Sequence, residues 1–211
     1  MRSVTLVPTF AAFALITFAA GPALAGPPLV CFPFDIGTAR SLPWDSQSGN
    51  WNGMRGDYPG TRLTGDTLAL LTPTTPVIVR METLRRAAIY ATKDAAAGRA
   101  LLETLLGRAK AKGADALASF DAGYLAATYA QLAPISPSTG ALAAGIDGYA
   151  LVDSSVRRAP RDPALAFAAA LTATDSRRDA SADHARVARA GTSEDVLLAR
   201  NIDHLDHGVP R

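Results

Sequence analysis

One cysteine, two tryptophans, three methionines and three histidines in 211 residues leave little raw material for the commoner catalytic devices. With Cys31 alone, no intramolecular disulfide and no paired-cysteine metal site can form. Neither sign of charge dominates: 21 Lys+Arg stand against 19 Asp+Glu, a net +2 with histidine neutral, so no nucleic-acid partner is implied. There is no Gly-x-Ser-x-Gly elbow and no His-Glu-x-x-His. The run Gly53-Met54-Arg55-Gly56-Asp57 lacks the flanking strand and helix that a phosphate-binding loop needs. Asp35, Asp45 and Asp57 have no spacing that would pair them as acid and base. No cofactor is expected from this inventory.

What is present begins with a leader. Arg2 gives a basic start, an apolar run follows from Phe10 to Ala20, and Ala23-Leu24-Ala25 supplies the small residues of a cleavage site. The run is shorter than the roughly 20 apolar residues a bilayer span requires, and Gly21 and Pro22 break it. A cleaved signal peptide is expected over 1–25, which leaves a soluble periplasmic or secreted bacterial protein without a stable membrane anchor. Lipid attachment at Cys31 is disfavoured because Leu29 and Val30, not small residues, precede it. The length remaining after Ala25 suits one domain with an extended arm.

Residues 26–60 form that arm. Pro27, Pro28, Pro33, Pro43 and Pro59 prevent long helices, and Gly49, Gly53, Gly56 and Gly60 mark turns. Phe32, Phe34, Trp44, Trp51 and Tyr58 make the arm too apolar to stay detached in water, so it is expected to pack on the body. Such rings either fill a core or offer a recognition surface to a ligand or partner.

Over 61–211 the pattern turns helical. Helices are expected at about 66–71, at 77–90 with Met81, Leu84, Ala88 and Ala91 on one face, from Asp94 to Gly113, and from Asp115 through Leu132 as the central helix. Glu82 is expected to pair with Arg85 or Arg86 at the surface for about 0.2 to 0.5 kcal/mol. Residues 133–140 read as a loop, 141–158 as one helix weakened by Gly145 and Gly148, and Asp162-Pro163 as the start of a nearly all-apolar helix. Two short helices close the chain, at 182–190 and 193–207, the second opened by a capping box of Thr192 and Asp195. The fold class is all-α: an irregular solenoid or bundle of antiparallel helices with an N-terminal arm.

Two resemblances accompany this reading. The turn from Arg158 through Pro163 to Ala166, with Gly145, Tyr149 and Val152 before it, resembles the junction of tetratricopeptide repeats. Helix-pair starts near 77, 115 and 162 are, however, spaced wider and less evenly than that repeat. Pro28-Leu29-Val30-Cys31-Phe32-Pro33-Phe34-Asp35-Ile36-Gly37 with Ser41-Leu42-Pro43-Trp44 resembles the start of a group of uncharacterised exported bacterial proteins. The likeness continues through 66–71 and 79–86, and it implies no particular activity.

Three sets of residues are candidates for function. Phe32, Phe34, Trp44, Trp51 and Tyr58 are the candidate binding residues for a peptide or protein partner. Cys31 is a candidate thiol, for which the histidines at the far end of the chain are the available bases. His184, His204 and His207 form a candidate metal set, with His204 and His207 projecting away from the apolar face of Leu198, Ile202 and Leu205. A binding scaffold is the reading preferred over an enzyme or redox protein. Sequence leaves the oligomeric state open.

Overall fold

Aspartate caps five of the α-helices among the described residues. The computed structural model describes residues 27–45, 50–173 and 175–207, and the expected signal peptide lies outside them. The fold is all-α; among the described residues the only β feature is an isolated antiparallel bridge between Trp44 and Met54. The helices in order are α1 (Pro28–Cys31), α2 (Leu63–Leu70), α3 (Val77–Ala91), α4 (Ala95–Lys110), α5 (Ala116–Gln131), α6 (Pro137–Gly140), α7 (Gly148–Arg158), α8 (Pro163–Thr172), α9 (Arg178–Ala190), α10 (Val196–Asn201) and α11 (His204–His207). Asp94, Asp115, Asp147, Asp162 and Asp195 precede α4, α5, α7, α8 and α10, and each carboxylate accepts from backbone N–H groups of the first turn. Such a cap contributes about 1 kcal/mol.

Several expected boundaries shift for identifiable reasons. The helix expected over 141–158 is interrupted at Gly145, whose φ of +75° is left-handed, so a short 3-10 turn at Ala141–Ala143 precedes the restart at Asp147. The expected loop at 133–140 contains the single turn α6. Thr192 does not cap the last helices; its hydroxyl donates to the Arg189 carbonyl and Asp195 caps alone. The helix expected over 193–207 is divided into α10 and α11.

Helix α5 occupies the centre, packed against α3, α4, α7 and α8. Its Phe120, Tyr124, Leu125 and Tyr129 are fully buried. The α5–α7 crossing depends on two glycines: a Cβ on Gly148 would stand 2.6 Å from the Gly123 carbonyl oxygen, and one on Gly123 would stand 2.7 Å from that of Gly148. Helix α8 is buried from Ala164 to Thr172, as its apolar run requires. The arm belongs to the same core: Leu29, Val30, Phe34, Ile36 and Leu42 are buried with the helical residues. Each such side chain contributes about 1.5 to 3 kcal/mol of transfer free energy.

Candidate functional site: the seam between arm and body

Helix α3 carries charge into the core, which overturns the expected surface pairing of Glu82. Glu82 is 1% exposed and Arg85 is 0% exposed. Arg85 meets the carboxylate as a fork, Nε to Oε2 at 2.7 Å and Nη2 to Oε1 at 3.0 Å, and Arg86 Nε donates to Oε1 at 2.7 Å. The fourth donor is the Phe34 backbone N–H, 3.1 Å from Oε2. The remaining guanidinium donors then reach arm carbonyls: Arg85 Nη1 to Val30 and Trp51, and Arg86 Nη1 to Leu42. Three side chains one helical turn apart therefore hold the arm at four points. Burial opposes ionisation of Glu82, but the two guanidiniums, Arg85 first, and their hydrogen bonds outweigh it and hold the carboxyl below the ordinary glutamate range.

A second buried pair lies on the same helix. Arg80 Nη1 donates to both carboxylate oxygens of Asp121 on α5, at 2.9 and 2.7 Å, while its other nitrogens donate to the Thr75 and Thr72 carbonyls. Here burial exceeds the pull of Arg80 and the smaller pull of Arg108, and the Asp121 carboxyl is pushed up to about 6.

Above the Glu82 cluster the arm aromatics are arranged in a ladder. Tyr90 stands between Trp44, edge-on at 6.0 Å between ring centroids, and Tyr58, tilted at 4.4 Å. The guanidiniums of Arg85 and Arg86 lie 5.1 and 5.4 Å from the Trp44 ring centroid, within cation–π range. Tyr90 Oη donates to the Pro43 carbonyl at 2.6 Å and accepts from the Arg55 N–H at 3.1 Å; Tyr58 Oη donates to Asp66 at 3.0 Å. Trp44, Trp51, Met54 and Tyr58 are each only partly buried on this framework. An open concavity beside them is lined by Trp44, Asp45, Met54, Arg55, Gly56 and Asp57.

The remaining candidates are placed elsewhere. Phe34 is 4% exposed and serves the core, edge-on to Phe167 and stacked with His204 at 4.7 Å. Phe32 remains partly exposed, edge-on to the same histidine. His204 thus does not project away from the body as expected; the break between α10 and α11 turns it onto the arm. His184 is held on α9, its Nε2 3.2 Å from Tyr149 Oη and 3.3 Å from Asp153 Oδ1, and burial lowers its pKa. His184 and His204 accordingly have separate neighbours, and the His207 side chain lies outside the described residues. No group of three or more His, Cys, Asp or Glu fit to hold a metal ion occurs among the described residues. Burial pushes the Cys31 thiol up against the opposing pull of Arg85, which keeps it protonated and weakly nucleophilic.

Among the described residues no helix is long and apolar enough to cross a membrane. Comparison with protein-family models, curated proteins and solved structures finds no match to this chain.

Proposed function

We propose that this chain is an exported binding protein whose arm presents Trp44, Trp51, Met54 and Tyr58 to a peptide or protein partner. The observation that carries the proposal is the contrast within the seam: these four side chains stay partly exposed, while the backbone beneath them is fixed by Arg85, Arg86 and Tyr90. A surface ordered before association loses little conformational freedom on binding, and tryptophan and tyrosine are the side chains that most often anchor an interface. The leader at 1–25 supports export, and the successive packed helices from α4 to α9 support a tetratricopeptide-like scaffold beneath the face. A thiol enzyme built on Cys31 is the weaker reading because burial disfavours its thiolate.

Trp44 and Trp51 are the chain's only tryptophans, so selectively excited tryptophan fluorescence reports on this face alone. Short random peptides selected on the immobilised protein should shift or quench that fluorescence, and Trp51→Ala should abolish their binding without lowering the melting temperature much. A selection in which no enriched peptide both shifts the fluorescence and depends on Trp51 would refute the proposal.

A further inference from the structure

A second recess is lined by no residue of the arm. Its walls are the α7–α8 turn, with Ala159, Pro160, Arg161, Asp162 and Pro163, and the entry to α10, with Glu194 and Asp195; it is an open, shallow depression of about 610 Å³. The two walls are fixed against each other. Asp162 and Asp195 are committed to capping α8 and α10, and Gly191 at the end of α9 abuts the Pro163 ring so closely that a Cβ there would lie 2.2 Å from Pro163 Cβ.

The floor is apolar and the rim acidic. Ala159, Pro160 and Pro163 supply aliphatic surface, and Val196, next to Asp195, is 69% exposed at the start of α10. Three carboxylates stand against one guanidinium, Arg161. The positive ends of the short helices α8 and α10 offset part of this charge, and the rim stays negative. Acidic and apolar ligands are therefore both poorer matches than a segment carrying a cation beside an aliphatic side chain.

We propose that this recess docks a basic-aliphatic peptide segment of a partner protein, with leucine-like side chains on the proline floor and a lysine or arginine against Glu194. This goes beyond the arm face, with which it shares no residue. The charge sets specificity and encounter rate, while the floor supplies the contact area.

The probe is a fluorescein-labelled peptide alternating Leu with Lys and Arg, titrated by anisotropy against the full chain. Saturable binding should weaken about tenfold in Glu194→Lys. It should also weaken in Pro160→Ser, and stay unchanged in Trp51→Ala. Glu194 and Pro160 are exposed, so both variants are expected to fold, which thermal melts would verify. A Glu/Asp counterpart of the peptide should not bind, nor should one with Ser in place of Leu. Absent binding, or binding indifferent to Glu194→Lys or to the sign of the peptide's charge, overturns the inference. So does a sedimentation change on Glu194→Lys without peptide binding, because a second copy of the chain would then be the occupant. Loss of binding in Trp51→Ala alone would move the peptide to the arm face.

Discussion

Two buried carboxylates, Glu82 on α3 and Asp121 on α5, behave oppositely because they have different numbers of hydrogen-bonded counter-ions. Glu82 is hydrogen-bonded by two guanidiniums and a backbone N–H and is held below its ordinary range; Asp121 is hydrogen-bonded by Arg80, with Arg108 adding only a smaller pull, and is pushed up to about 6. In an interior that resists charge, one hydrogen-bonded guanidinium offsets only part of the desolvation cost at Asp121, while two exceed it at Glu82. The difference is also one of purpose. Arg80 and Asp121 join two helices that are already packed together, whereas the Glu82 cluster joins a helix to an arm of little regular structure. Apolar residues of similar volume often match a buried ion pair in stability. What they cannot do is read the carbonyls of Val30, Leu42 and Trp51, and those bonds fix the arm's register on the body.

The comparison breaks most severely at Arg85. Arg85→Ala removes the fork on Glu82 and two arm carbonyl bonds, and should cost about 5 kcal/mol in urea unfolding or prevent folding altogether. A loss below about 2 kcal/mol would mean that the arm does not depend on the cluster. Trp44→Ala should cost about 2 kcal/mol rather than the 3 to 5 of a fully packed ring, because Trp44 is only partly buried. Asp121→Asn keeps an acceptor for Arg80, whose Thr75 and Thr72 contacts persist, and removes a carboxylate whose ionisation burial disfavours, so a loss of no more than about 1 kcal/mol is expected at neutral pH. An exposed pair sets the baseline: Asp183 and Arg186, each 74% exposed, should contribute below about 0.5 kcal/mol in a double-mutant cycle.

A pH series sharpens the same contrast. Asp121 keeps in the fold a proton that the unfolded chain gives up near 3.8, so this residue makes the protein less stable as pH rises from about 4 to about 6. Glu82 acts with the other sign: its folded pKa is depressed, so its stabilisation is complete above the ordinary 4.5 and is lost as pH falls through the folded value. Denaturation midpoints should therefore lose the downward component between about pH 4 and 6 in Asp121→Asn and keep the acid-side loss. An unchanged profile in that variant would contradict the assignment.

Much of the fold is legible in the sequence, and its gaps have physical causes. Asp94, Asp115 and Asp162 announce their helices because a short acceptor before an alanine-rich turn has few other uses. The apolar run 164–173 announces a buried helix. The spacing of Glu82, Arg85 and Arg86, by contrast, is the same for a solvated surface pair and for a buried cluster. The signal available was that Val77, Ile78, Val79, Met81, Leu84 and the run from Ala87 to Ala91 leave α3 no wet face, so its charges had to be inside. The expected direction of His204 holds only for a continuous last helix; the break between α10 and α11 turns its ring onto Phe34. The exposed part of the arm face was not separable from its core part by composition: Phe34 and Trp44 are both aromatic residues among prolines, and only the stacked His204 and the Arg85 and Arg86 contacts tell them apart.

The central claim is that the arm is clamped to the body and presents an ordered face. Native-state hydrogen exchange of the Phe34 amide, which donates to buried Glu82, tests it most directly. The account predicts that this amide exchanges only by global unfolding, at the rate of the α5 core amides such as Tyr124. Free exchange at Phe34 while Tyr124 stays protected would show an arm that detaches from a folded body, and the clamp would be wrong.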